Sequence, residues 1–164
     1  MRIEKVAINA SPFILLCKSG LAELLPQLFS EIYMPERVSM EIIAGNDIAT
    51  EKLFDYEETW LIRCLANVAE EVLVWNLGDG ETDVLSLAFA DKEYYTALID
   101  DRAARKCAET LNIKTLGTGG VLVLAKRRGL INSVGEALEK LQNAGLYISD
   151  GIIELLKKQA GELL

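Results

Sequence analysis

Short apolar runs that end in polar residues and hand over to a helical pattern recur along this chain, and that alternation narrows the possible folds more than any other feature. Residues 3–8 form such a run, closed by Asn9, Ser11 and Pro12, after which Ile14, Leu15, Leu24 and Leu25 follow one helical period. Residues 32–34 form the next, with Pro35 expected as the first residue of a helix over 36–44 that carries Glu41. Gly45-Asn46-Asp47 reads as a turn, 49–56 as a helix and 60–65 as an edge strand. A turn at 77–80 precedes a helix over 81–90 with Glu81 in its first turn. Residues 94–99 are rich in β-formers and end at Asp100 and Asp101, with Asp101 the expected N-cap of a helix bearing Ala103, Ala104, Cys107, Ala108 and Leu111. A strand over 113–116, a tight turn at 117–120, a helix over 121–128 and two amphipathic helices from Ser133 complete the pattern. Strand and helix in alternation predict an α/β fold: a mainly parallel sheet covered by helices on both faces.

The 164 residues suit one domain spanning 1–164, with the last two helices, about 133–164, packed on it or on a partner. Hydrophobic residues at 51% with only 3 Pro and 12 Gly exclude disordered and fibrous classes. Lys and Arg number 17 against 25 acids, a formal charge of −8. A basic nucleic-acid coat is thereby excluded, because counterion release needs clustered cations; a local basic rim around an acidic, metal-loaded site is not. The chain has no His, which removes every Ser-His, Cys-His and His-metal mechanism and leaves carboxylates and amides to hold any hard cation. Cys17, Cys64 and Cys107 form no CxxC pair and read as reduced core thiols. Arg2, Glu4 and Lys5 do not resemble a secretory leader, and the longest charge-free stretches, 6–17 and 115–125, are too short to cross a bilayer. A cytoplasmic protein without membrane contact is expected.

Three of the expected strands end in polar or acidic residues: Asn9 with Ser11, Asp100 with Asp101, and Gly117 with Thr118. In an open α/β sheet the ligand crevice lies outside the carboxyl ends of the strands, where strand order reverses. Glu41 and Glu81 are placed to reach the same crevice. Several carboxylates together raise one another's pKa, and a divalent cation resolves the conflict. Oxygen-only ligation suits Mg²⁺ or Mn²⁺, and the chemistry that follows is phosphodiester hydrolysis by a metal-activated water.

Five stretches then carry a family resemblance: Val6-Ala7-Ile8-Asn9-Ala10-Ser11-Pro12-Phe13-Ile14, Met34-Pro35-Glu36-Arg37-Val38-Ser39-Met40-Glu41-Ile42, Leu77-Gly78-Asp79-Gly80-Glu81-Thr82-Asp83, Leu98-Ile99-Asp100-Asp101-Arg102-Ala103-Ala104-Arg105, and Gly117-Thr118-Gly119-Gly120 running on to Ile131. In this order, over nearly the whole chain, they resemble the PIN-domain family. The resemblance implies a three-layer α/β/α sandwich and a Mg²⁺- or Mn²⁺-dependent endoribonuclease, a hydrolase often found as the toxin of a toxin–antitoxin pair. It puts Asn9 at the family's first acid, Glu41 at the second, Glu81 at the third and Asp101 at the fourth, as the catalytic and metal-holding set, with Ser11 as a supporting hydroxyl. RNA is the implied substrate and a cognate antitoxin the implied partner; a homodimer stays open. The family usually has Asp where this chain has Asn9, and an amide oxygen ligates a hard cation without bringing charge. Asp83 and Asp100 stand near enough in sequence to supply the missing charge.

Each of these residues also has a purely structural use. Asn9 and Ser11 suit a turn and helix cap, Glu81 complements a helix dipole, Asp101 caps, and Glu41 suits a solvated helix face. Thr118 lines the crevice or only the 117–120 turn, whose spacing is neither a Walker loop nor a dinucleotide fingerprint. Arg102, Arg105 and Lys106, with Lys126, Arg127 and Arg128, form either a solvated surface or a basic rim, making Arg102, Arg105 and Lys126 the RNA-contact candidates. Trp60 and Trp75 are expected to pack, and Ile152, Ile153, Leu155, Leu156, Leu163 and Leu164 to cover the core or a partner. The alternative to the nuclease is a catalytically weakened PIN-like module that binds RNA or protein. A small-molecule phosphohydrolase is less expected, since no strand carries a DxD pair.

Overall fold

The computed structural model describes residues 5–162. Five strands, β1 (Lys5–Ile8), β2 (Glu31–Pro35), β3 (Leu61–Cys64), β4 (Tyr95–Leu98) and β5 (Lys114–Leu116), form one sheet in the order β3-β2-β1-β4-β5, with every pair parallel. Among the described residues ten helices accompany them: α1 (Ala10–Lys18), α2 (Leu24–Leu28), α3 (Glu36–Gly45), α4 (Ile48–Glu57), α5 (Glu70–Leu73), α6 (Asp79–Ala90), α7 (Arg102–Thr110), α8 (Thr118–Arg127), α9 (Val134–Asn143) and α10 (Asp150–Gln159). This is the three-layer α/β arrangement that the alternation of apolar runs predicts.

Strand composition follows position in the sheet. Central β1 and β4 carry Val6, Ala7, Ile8, Ala97 and Leu98 at zero exposure, because a parallel strand covered on both faces must be apolar along its length. The edge strands β3 and β5 are only partly buried and carry Arg63 and Lys114, charges that discourage edge-to-edge pairing. The buried apolar side chains join in one contiguous cluster, with Trp60 and Trp75 packed against it.

Several local readings change. The single period from Ile14 to Leu25 is two helices, because Gly20 takes a left-handed φ of +76° and ends α1. Pro35 closes β2 and caps α3 rather than opening it. Residues 117–120 are no tight turn: Gly117 is an N-cap and α8 starts at Thr118. The short α5 carries too little periodicity to be seen in the sequence. Cys17 and Cys107 are core thiols as expected, but Cys64, at the end of edge strand β3, is only half-buried.

Helices α9 and α10 pack on α8 and on each other. Leu156 of α10 lies against Gly119 at the start of α8, where a Cβ would stand 2.7 Å from Leu156 Cδ1 and would push that side chain aside. Glu162 anchors the same segment by accepting from the Val134 and Gly135 amides and pairing with Lys126, which together hold its carboxyl below the usual carboxylate range. Ile152 and Leu155 stay exposed, while Leu163 and Leu164 lie outside the described residues.

Candidate active site at the carboxyl ends of β1 and β4

The sheet has its switch point at β1, whose neighbours β2 and β4 are reached by connections that run in opposite directions. Asn9 follows β1 directly, and its backbone N–H donates to Leu98 O at 3.0 Å, tying it to the end of β4. Helix α6 packs over β4, β1 and β2 and against α3, which brings the N-terminal turn of α6 beside Glu41 of α3. Glu41, Gly80 and Glu81 line one open cleft of ≈ 430 Å³.

Asn9 is 3% exposed and donates from Nδ2 to Glu81 Oε1 at 3.2 Å. Its Oδ1 is buried with no hydrogen-bond partner, one of two such side-chain atoms among the described residues, the other being Ser39 Oγ. Gly80 explains the space in front of it. A Cβ there would stand 3.1 Å from Asn9 Oδ1, 3.4 Å from Val38 Cγ2 and 3.6 Å from Glu41 Oε2, so the glycine leaves a notch faced by an amide oxygen and a carboxylate oxygen. Burial first, and then the neighbouring Glu81 carboxylate, raise the Glu41 pKa.

Two carboxylates and one orphaned amide oxygen thus converge, and this donor set fits a hard cation: all oxygen, negative on balance, with one acceptor oxygen left buried and unused. Among the described residues no three Asp, Glu or Cys side chains are grouped so as to hold an ion by themselves. A cation here depends on the Asn9 amide and on further oxygens from water or substrate.

The remaining expected residues are placed as follows. Asp101 is exposed and caps α7, Oδ2 accepting from Ala104 N at 2.9 Å; no hydrogen bond joins it to Glu41, Glu81 or Asn9. Asp100 and Thr118 do come together, the acid accepting from Thr118 N at 2.7 Å and from its hydroxyl, so both Asp100 oxygens serve the start of α8. Asp83 is equally committed: Arg37 grips both its oxygens, Nε at 2.7 Å and a terminal nitrogen at 2.6 Å. Neither acid is free to replace the charge that Asn9 lacks. Ser11 is exposed in the first turn of α1, and its hydroxyl makes no hydrogen bond among the described residues. Lys126 spends its ammonium on Asn132 O and Glu162.

Arg37 is the residue that the sequence did not single out. It sits one turn before Glu41 on α3, while Asp83 lies two residues after Glu81 on α6. Their bidentate pair therefore clamps together the two helices that present the acidic cleft, and a further contact to Asp79 at 3.2 Å extends the clamp. The available signal was the i, i+4 spacing of Arg37 and Glu41, which puts them on one helix face.

No helix among the described residues is long and apolar enough to cross a membrane. The chain has no significant match among curated proteins. A family model described as a PIN domain matches residues 5–162. With the parallel sheet and the acidic cleft at its switch point already established, that match leads to one conclusion: the chain belongs to the PIN-domain family.

Proposed function

We propose that this protein is a Mg²⁺- or Mn²⁺-dependent endoribonuclease of the PIN type, acting in the cytoplasm as a single domain on RNA phosphodiester bonds. Glu41, Glu81 and Asn9 would hold the cation, and Asp101 would serve from the end of β4. The cation supplies a water of lowered pKa and offsets charge on the phosphate oxygens. The protein's own contribution is positional: Asn9 orients Glu81 through the 3.2 Å hydrogen bond, Gly80 keeps the notch open, and Arg37 with Asp83 fixes α3 against α6. The observation that carries the reading is the buried, unpartnered Asn9 Oδ1 facing that notch.

A second reading, a weakened RNA- or protein-binding module, is favoured by one feature of the same site. Asn9 occupies one oxygen of Glu81 by donating to it and brings no charge, where an aspartate would add one. Cleavage of single-stranded RNA with and without Mn²⁺, for the wild type, Asn9→Asp and Asp101→Asn, separates the two. Metal-dependent cleavage lost in Asp101→Asn supports the enzyme. Silence in all three with intact RNA binding supports the module, and activity appearing only in Asn9→Asp identifies missing charge as the cause. A toxin role predicts co-purification with a small neighbouring-gene product; a stable lone dimer counts against it.

A further inference from the structure

We propose that the cleft between α7 and the edge strand β5 seats the phosphodiester backbone of single-stranded RNA through Arg102, Arg105 and Lys106, beside the linkage cut at the acidic cleft. The inference rests on the nuclease reading and extends it to how substrate is held. The cleft is open and encloses ≈ 770 Å³, with Asp100 at its head and Ile113 and Thr115 along one wall.

The three cations follow i, i+3, i+4 spacing and so share one face of α7, while Ala104, Cys107 and Ala108 bury the other. None of the three side chains makes a hydrogen bond or ion pair among the described residues. Asp100 and Glu109 line the same cleft, so three cations face two acids with no ion pair closed among them, and a net positive charge is left for an anion to join. The basic end of α8 behaves differently: Lys126, Arg127 and Arg128 all donate to carbonyls within the fold. Lys126 thus gives way to Lys106 as a contact residue.

Gly117 adds an independent constraint. A Cβ there would stand 2.6 Å from a terminal nitrogen of Arg105 and 3.1 Å from Asp100 Oδ1, so the bare backbone is what lets the guanidinium lie at the head of the cleft. Asp100 shares the head of the cleft but closes no ion pair with Arg105 among the described residues, its two oxygens being turned to the amide and hydroxyl of Thr118. The head of the cleft leaves the sheet at the same edge as the acidic site, since Asn9 N bonds Leu98 O, two residues before Asp100. Planar guanidinium groups match phosphate oxygens in pairs, and since they match carboxylates too, an acidic peptide is the competing ligand that the test includes. A duplex, with its denser charge, is disfavoured by the net charge of −8.

The test is binding of a labelled oligouridylate in EDTA, across a salt series, to the whole protein. Each phosphate contact contributes about 0.7 to the slope of log K against log salt for a single strand. Arg102→Gln, Arg105→Gln and Lys106→Gln should each lower the slope by about 0.7, and the triple variant by about 2. Gly117→Ala should mimic Arg105→Gln in affinity while every charge remains, with circular dichroism confirming the fold. An unchanged slope in the triple variant overturns the assignment. So does a wild type that fails to bind, one that binds poly-glutamate or duplex RNA equally well, or an equal loss in Lys126→Gln. Unaltered kcat/KM in the triple variant overturns the cleft and leaves the nuclease standing; binding that depends on these cations without cleavage overturns the nuclease and leaves the cleft.

Discussion

Replacing Asn9 with Asp tests the electrostatics of the site more directly than any loss of function. The side chain is 3% exposed and its Nδ2 lies 3.2 Å from a Glu81 oxygen, with Glu41 across the Gly80 notch. Two carboxylates at that separation repel by about 5 kcal/mol at an effective dielectric of about 20. The new acid escapes by binding a proton, and holding a group of ordinary pKa about 3.9 protonated at pH 7 costs about 4 kcal/mol. Protonated, it can still donate to Glu81. The metal-free variant should therefore be destabilised by up to about 4 kcal/mol at pH 7. Because the folded-state pKa is raised, the folded protein binds the extra proton. The penalty is absent below about pH 4, grows as pH rises towards the folded pKa and levels off above it. Urea melts from pH 4 to 8 measure this, and Mn²⁺ should restore most of the loss at pH 7 by taking the proton's place. An Asn9→Asp protein as stable as wild type at pH 7, or one indifferent to Mn²⁺, would refute the convergence of these oxygens.

Three further outcomes follow from the same geometry. Glu41→Gln should stabilise the metal-free protein at neutral pH, because the raised Glu41 pKa means that its charged form is disfavoured in the fold; the gain should fade as pH falls and Glu41 protonates, and the Mn²⁺-induced rise in melting temperature should shrink. Gly80→Ala fills the notch: helix propensity gains up to about 1 kcal/mol, the close approach to Asn9 and Val38 offsets it, and stability stays near wild type while the Mn²⁺ shift disappears. Calorimetry showing wild-type Mn²⁺ affinity in that variant contradicts the site. Arg37→Met strands the buried Asp83 carboxylate and should cost about 2 kcal/mol in urea melts, below the usual figure for a broken buried pair because Arg37 itself is 41% exposed. A loss under 0.5 kcal/mol, on the order expected for a surface pair, argues against a clamp.

Much of this molecule was legible in one dimension. Apolar runs ending at Asn9, Asp101 and Thr118 marked strands and their carboxyl ends, because a parallel strand buried on both faces has no choice but to be apolar. Asp101 read correctly as an N-cap, a local device whose partner, Ala104 N, is three residues away. The lack of His by itself left carboxylates and amides to hold any hard cation. What failed locally failed where a short element lacks a period, as in α5, or where a turn-like composition starts a helix, as at 117–120.

Tertiary structure alone decided which charges are free. Asp83 and Asp100 look like spare carboxylates in the sequence, yet Arg37, 46 residues away, pairs with the first, and Thr118, 18 residues away, occupies both oxygens of the second. Lys126 and Arg105 are equally basic in the sequence, but Glu162 arrives from the far end of the described chain to pair with Lys126, whereas Arg105 closes no ion pair among the described residues. Propensity and capping are short-range, so they are written into neighbouring residues. Whether a charge is spent depends on what packs against it across the sheet, and the physical reason is that Coulomb and hydrogen-bond energies fall with distance in space rather than with separation along the chain.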